Sequence, residues 1–234
     1  MGLSIEYKSF HDYVADRFED SANPKRSALQ FIERIKKAVE QQTGSPLFFK
    51  KEHVPKNLEG FKYGNYSEIH FLRMYAARVS GYTLDEAYEL ETVSLDPANT
   101  VEEETEEGDE DYSTEDEFKE IWGEPIDKVF KKKPQRDTPF KFKNLVCFPD
   151  SEGIYIPYDF KTPIQYRSVN VASSKHLFIE LEEIHNHLRR DLVAAMDSKA
   201  MVLEQYLLYV RQLWWRLYIP CKESSEKGCS FFFV

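Results

Sequence analysis

Twelve acidic residues stand within nineteen positions, Glu102 to Glu120 (EEETEEGDEDYSTEDEFKE), with Lys119 as the only cation among them. A like-charge block of this density repels itself, stays hydrated and lies outside a packed core. The run contributes -11 to a formal net charge of -10, so the rest of the chain sits near +1. The sequence therefore describes a near-neutral folding unit interrupted by one acidic segment. Three stretches follow from that: a helical half over 1–97, an acidic mobile loop over 98–113, and an α+β half over 114–234. We read them as one domain carrying an insertion.

The 234 residues are 41% hydrophobic, and the aromatic count is high, with 17 Phe, 14 Tyr and 3 Trp. Large rings bury much area per residue, so a core is affordable with few Leu and Met, and the same rings suit a binding surface. No apolar run approaches the roughly 20 residues that span a bilayer. The opening MGLSIEYKSFHD lacks the basic and apolar regions of a secretory signal. These features predict a cytoplasmic protein that makes no membrane contact. Cys147, Cys221 and Cys229 are too few for a disulfide framework and form no CxxC pair. Cys221 and Cys229 flank a polar stretch and are placed to face each other across a hairpin, as thiols.

Helical signals dominate the first half. Ser9 caps a short helix bearing Phe10, Tyr13, Val14 and Phe18. Asn23-Pro24 is a capping residue followed by proline at the first helical position. Leu29, Ile32, Ile35 and Val39 follow at helical spacing, and Gly44 is placed to end that helix. Ser67 is expected to open a third helix, closed by Gly81, and Thr83 a fourth; the stretch 45–64 reads as a long loop. Thr114 to Glu117 matches a capping box, predicting a helix over 115–122 that buries Phe118 and Trp122.

The second half changes period. Lys141–Phe148 and Ile154–Tyr158 alternate about a polar, glycine-containing turn and read as a β-hairpin. Ser173 or Ser174 opens a helix with Leu177, Leu181, Ile184 and Leu188 on one face. A longer helix is expected from about Leu192 to Leu217, stopped by Pro220, before a terminal strand from Cys229 to Val234. The predicted class is α+β: a mainly helical N-terminal half, then a small antiparallel sheet with two packed helices in the C-terminal half, and the acidic loop between them.

Catalytic signals are sparse. His185-Asn186-His187 spells a nuclease-like triplet, but neighbours on a helix diverge by about 100° and cannot converge on one metal. Glu182 and His185 share a helix face, yet the second Glu-x-x-His of a carboxylate-bridged metal site is missing from the sequence. There is no glycine-rich phosphate loop and no nucleophile elbow. No cofactor and no metal is expected. The basic clusters Lys131-Lys132-Lys133 and Arg189-Arg190 are too small for a nucleic-acid face, so nucleic acid is not expected as a partner.

The acidic run is then the principal candidate site, through Glu102, Glu103, Glu104, Glu106, Glu107, Asp109, Glu110 and Asp111. Clustered carboxylates raise the encounter rate with a basic protein. This predicts a non-catalytic binding protein, such as an inhibitor, engaging a basic protein partner. Acidic, aromatic-rich and without a catalytic motif, the chain resembles bacterial toxin-immunity proteins in general profile, which implies the same kind of role. Two other readings fit: an enzyme whose Tyr, His and Glu residues converge from distant positions, and a structural subunit of an assembly.

Overall fold

The computed structural model describes residues 2–46, 52, 54–55, 58, 60–88, 90, 93–95, 114–124, 126–130, 132, 134–146, 153–166 and 169–234. Its elements run β1 (Gly2–Tyr7), α1 (Phe10–Arg17), α2 (Pro24–Thr43), β2 (Phe61–Asn65), α3 (Tyr66–Val79), α4 (Leu84–Tyr88), β3 (Val93–Ser94), α5 (Thr114–Trp122), α6 (Ile126–Val129), α7 (Lys143–Val146), β4 (Gly153–Ile156), β5 (Ile164–Tyr166), β6 (Val169–Ser173), α8 (Ser174–Asp197), α9 (Met201–Lys227) and β7 (Phe231–Phe233). The class is α+β, with helices dominating the first half, as the periodicity predicts.

Local chemistry sets most helix starts. The Ser9 hydroxyl accepts from the N–H of Asp12 at 3.1 Å, and Asn23 Oδ1 from that of Arg26 at 3.3 Å. Thr83 and Glu86 cap each other reciprocally at 2.8 and 3.2 Å. Gly44 ends α2 in the left-handed region at φ 66°, which a side chain would strain. The third helix starts earlier than Ser67, because Asn65 and Glu68 form a capping box ahead of Tyr66.

Among the described residues, one sheet of seven strands runs in the order β2-β1-β7-β4-β6-β5-β3. It is mixed rather than antiparallel: β4 runs parallel to β6 and β3 parallel to β5. Three of its strands come from the first half of the chain. β1 lies between β2 and β7, antiparallel to both, so the first and last strands pair as the sheet's second and third.

Strand alternation sends side chains to two cores. Ile154 and Ile156 of β4, with Ile164 and Val171, pack under α1 and α2 against Phe10, Val14, Phe31 and Ile35. Tyr155, Phe231 and Phe233 point the other way, to the larger core built with α3, α8 and α9. Tyr155 stacks on Phe231 with ring centres 4.8 Å apart. The sheet is thus covered on both faces by helices.

Three expectations need correction. The hairpin does not form: β4 is present, but Lys143–Val146 is a helical turn with Asn144, Leu145 and Val146 buried. Its N–H groups are satisfied by the carboxylate of Glu180 on α8, a remote acceptor that overrides the local alternation. Pro220 does not stop the last helix, which continues to Lys227; Leu217 before the proline and Cys221 and Ser224 after it are buried and hold the helix in place. Cys221 therefore lies inside α9, not at a hairpin's foot. Finally, the break between the two long helices falls at residues 198–200, where Lys199 takes φ 54°, rather than near Leu192.

Candidate acidic interaction surface

The eight carboxylates singled out from sequence, Glu102, Glu103, Glu104, Glu106, Glu107, Asp109, Glu110 and Asp111, lie outside the described residues. Both points where the run joins the fold are described. Before it, β3 occupies the sheet edge beside β5, and Leu95 donates its N–H to the Gln165 carbonyl at 2.9 Å. After it, α5 covers 114–122, close to the expected 115–122. Phe118 is fully buried, 5.1 Å from the Tyr206 ring and 6.2 Å from Phe71. Trp122 packs beside Tyr206 and Tyr209 at 5.7 and 5.9 Å. Gly123 closes the helix at φ 82°. The acidic segment therefore springs from a paired strand and ends in an aromatic cluster, with Glu120 exposed on its closing helix and Glu124 exposed just beyond it.

Of the basic clusters, Lys131 and Lys133 lie outside the described residues, and Lys132, Arg189 and Arg190 are exposed. Arg78 lies over the Phe130 ring at 5.1 Å and donates to the Lys132 carbonyl, which fixes the chain following α6. Arg190 bonds the His187 ring at 3.0 Å. Neither makes a continuous basic face among the described residues.

The most perturbed carboxylate is Glu180, which the sequence reading missed. Burial pushes it up to about 8, although three N–H donors favour its charged form. Oε1 accepts from the backbone and side-chain amides of Asn144, both at 2.9 Å, and Oε2 from Leu145 at 2.9 Å. A signal for it existed: Glu180 falls between Leu177 and Ile184 on the apolar face of α8. It backs a cleft of about 340 Å³ that also exposes Lys141, Lys143, Lys161 and His176. Lys141 is bonded there to Glu183 at 3.0 Å. Around it, Ser173 and Ser174 hydroxyls donate to the carbonyls of Tyr158 and Ile156. The Glu180 carboxylate joins α7 to α8 through these bonds, and the Ser173 and Ser174 hydroxyls join the start of α8 to the end of β4 and the chain just after it.

The other sequence candidates separate as helix geometry requires. His185 packs edge-on against Trp214 at 4.4 Å, Asn186 is exposed, and His187 meets Arg190. Glu182 bonds the Tyr218 hydroxyl rather than His185. Cys221 and Cys229 are buried thiols; burial pushes Cys221 well up and Cys229 up to about 11. Cys147 lies outside the described residues. Among those residues, no three His, Cys, Asp or Glu side chains are grouped to hold a metal ion, and no helix is long and apolar enough to cross a membrane.

Comparison with curated proteins and with solved structures finds no match. A family model described as "Putative DNA-mimic protein" matches residues 1–233. That description marks an acidic binding protein without catalysis, and it corrects the partner expected from charge alone. A partner defined only as a basic protein is too broad: a DNA mimic meets DNA-binding proteins, through the face they use for DNA. The match spans the chain from its first strand through its last, and on that ground the chain belongs to this DNA-mimic family.

Proposed function

We propose that this chain is a cytosolic inhibitor that occupies the DNA-binding face of a DNA-binding protein, presenting carboxylates where DNA presents phosphates. The observation that carries this reading is the family match along residues 1–233. The charge pattern supports it. Duplex DNA carries one charge per roughly 3.4 Å on each strand. The acidic run has twelve acids in nineteen residues, so its mean spacing is at most about 5–6 Å along a fully extended chain. Glu102, Glu103, Glu104, Glu106, Glu107, Asp109, Glu110 and Asp111 are the residues assigned to contact the partner. We take the fold as one domain, with this segment inserted between β3 and α5.

Binding by such a segment is electrostatic and direct. Lysines and arginines that grip phosphates donate to carboxylates as well, and cations gathered around the acidic run are released as they do so. The test is competition. The immobilised chain captures DNA-binding proteins from lysate, and each captured protein is purified and loaded with fluorescent duplex DNA. Adding this chain should release the DNA in proportion to its occupancy of the protein. A stable ternary complex of protein, DNA and this chain overturns the reading.

A further inference from the structure

The outer face of α9 carries an apolar stripe that no other element covers among the described residues. Met201, Leu208 and Trp215 are 70%, 41% and 54% exposed. Each is seven residues from the next, so the three lie within about 40° of one another around the helix and span about 21 Å. The opposite face of α9 is already used, with Tyr206, Leu207, Val210, Leu213 and Leu217 in the core. Trp215 is held in place: it stacks on Tyr218 with ring centres 5.9 Å apart and planes 16° apart. Beside it opens a cleft of about 620 Å³ lined by His185, Leu208, Arg211, Gln212 and Trp215. Half-exposed Trp and Arg around a concave site are the composition of an interface hot spot.

We infer that this face of α9 pairs with the same face of a second copy of the chain, antiparallel, about a two-fold axis near Leu208. The argument is self-complementarity. Glu204 and Arg211 flank that point on the stripe, and neither forms an ion pair within the chain among the described residues. An antiparallel two-fold contact sets Glu204 of each copy against Arg211 of the other, closing two ion pairs at once. The same operation sets Leu208 against Leu208 and Met201 against Trp215. A flexible thioether, largely exposed in the single chain, then fills the cleft beside a fixed indole, a favourable sulfur–aromatic contact. Glu204 and Arg211 give this face both signs of charge, so the antiparallel contact is electrostatically self-complementary.

Sedimentation equilibrium of the full chain tests this. The expected result is a dimer at micromolar concentration. Leu208→Asp, at a site on the helix surface, should leave circular dichroism and melting unchanged and give monomers. Glu204→Arg or Arg211→Glu alone should weaken the dimer by roughly five- to tenfold, because two exposed pairs become repulsive together. The double variant Glu204→Arg/Arg211→Glu should recover most of that loss, which a merely structural effect would not do. A wild-type chain that stays monomeric, a dimer indifferent to Leu208→Asp, or a double variant no better than the singles overturns the proposal.

Discussion

Asn144 gives both its backbone N–H and its side-chain amide to one oxygen of Glu180, each at 2.9 Å. The same side chain accepts the Ser173 N–H at 3.0 Å and donates to the Lys161 carbonyl at 3.1 Å, while its own carbonyl accepts the Tyr155 hydroxyl at 3.1 Å. One buried amide thus ties α7 to α8, to β4 and to the end of β6. A network so placed is costly to break, because each group left behind is out of reach of water.

Glu180→Ala should therefore destabilise the fold by roughly 3–5 kcal/mol, since three buried N–H donors lose their acceptor at about 1–3 kcal/mol each and relaxation recovers part of it. Glu180→Gln should cost less, because one amide oxygen still serves Asn144 while its NH₂ group opposes the Leu145 N–H. Denaturant unfolding measures both. A loss under about 0.5 kcal/mol for the alanine variant would mean that the network carries no stability.

The same carboxyl makes stability depend on pH. Its folded value is raised from the ordinary 4.5 to about 8, so between those limits the folded chain holds a proton that the unfolded chain releases. Stability from this group is fully present below about pH 4.5 and is lost as pH rises towards about 8. Glu52, buried against Ser230, is shifted in the same direction. His176 and His187, lowered by burial, act oppositely, their contribution fading as pH falls below the ordinary histidine value. The informative quantity is the stability difference between the wild type and Glu180→Gln. It should favour the wild type most at acid pH and move towards the variant as pH rises from about 4.5 to about 8. A difference constant across that range contradicts the assignment.

Leu207 sits fully buried on the inner face of α9, beside Tyr206 and Val210. Leu207→Ala should cost roughly 2–5 kcal/mol, the range for truncating a packed core leucine. The midpoint of a urea titration, at unchanged slope, reports it.

Replacing Glu102, Glu103, Glu104, Glu106 and Glu107 together with Gln removes five charges. On the DNA-mimic reading, association with a captured DNA-binding protein should slow several-fold at low salt and far less at high salt, because screening shortens the reach of charge to about 8 Å at physiological ionic strength. Melting should hardly change. Stopped-flow mixing at two salt concentrations checks this; equal rates at low salt would leave the acidic run without a role in recognition.

What the chain settles locally is visible along it. Ser9, Asn23, Thr83 and Ser173 cap the helices they precede, because a side-chain oxygen and an N–H three residues on need no third party. The stripe from Leu177 to Leu188 fixes the buried face of α8 by helix period alone. The acidic run is equally plain, since charge density is a property of sequence, and the binding character it implies agrees with the family. What pairs across the chain was not legible. β1 alternates Leu3, Ile5 and Tyr7 with Ser4 and Glu6, but nothing local pairs it, and it becomes an interior strand only because β2 and β7, the latter more than two hundred residues away, supply its ladders. The turn at Lys143–Val146 lies in a stretch that reads as a strand until Glu180 arrives from α8 to accept the N–H groups of Asn144 and Leu145. Pro220 reads as a stop until the core takes up Leu217, Cys221 and Ser224 on both sides of it. In each case a distant partner supplies the hydrogen bonds or buried area that decide the conformation. A short window of sequence contains the question without that partner, and only the tertiary structure brings the two together.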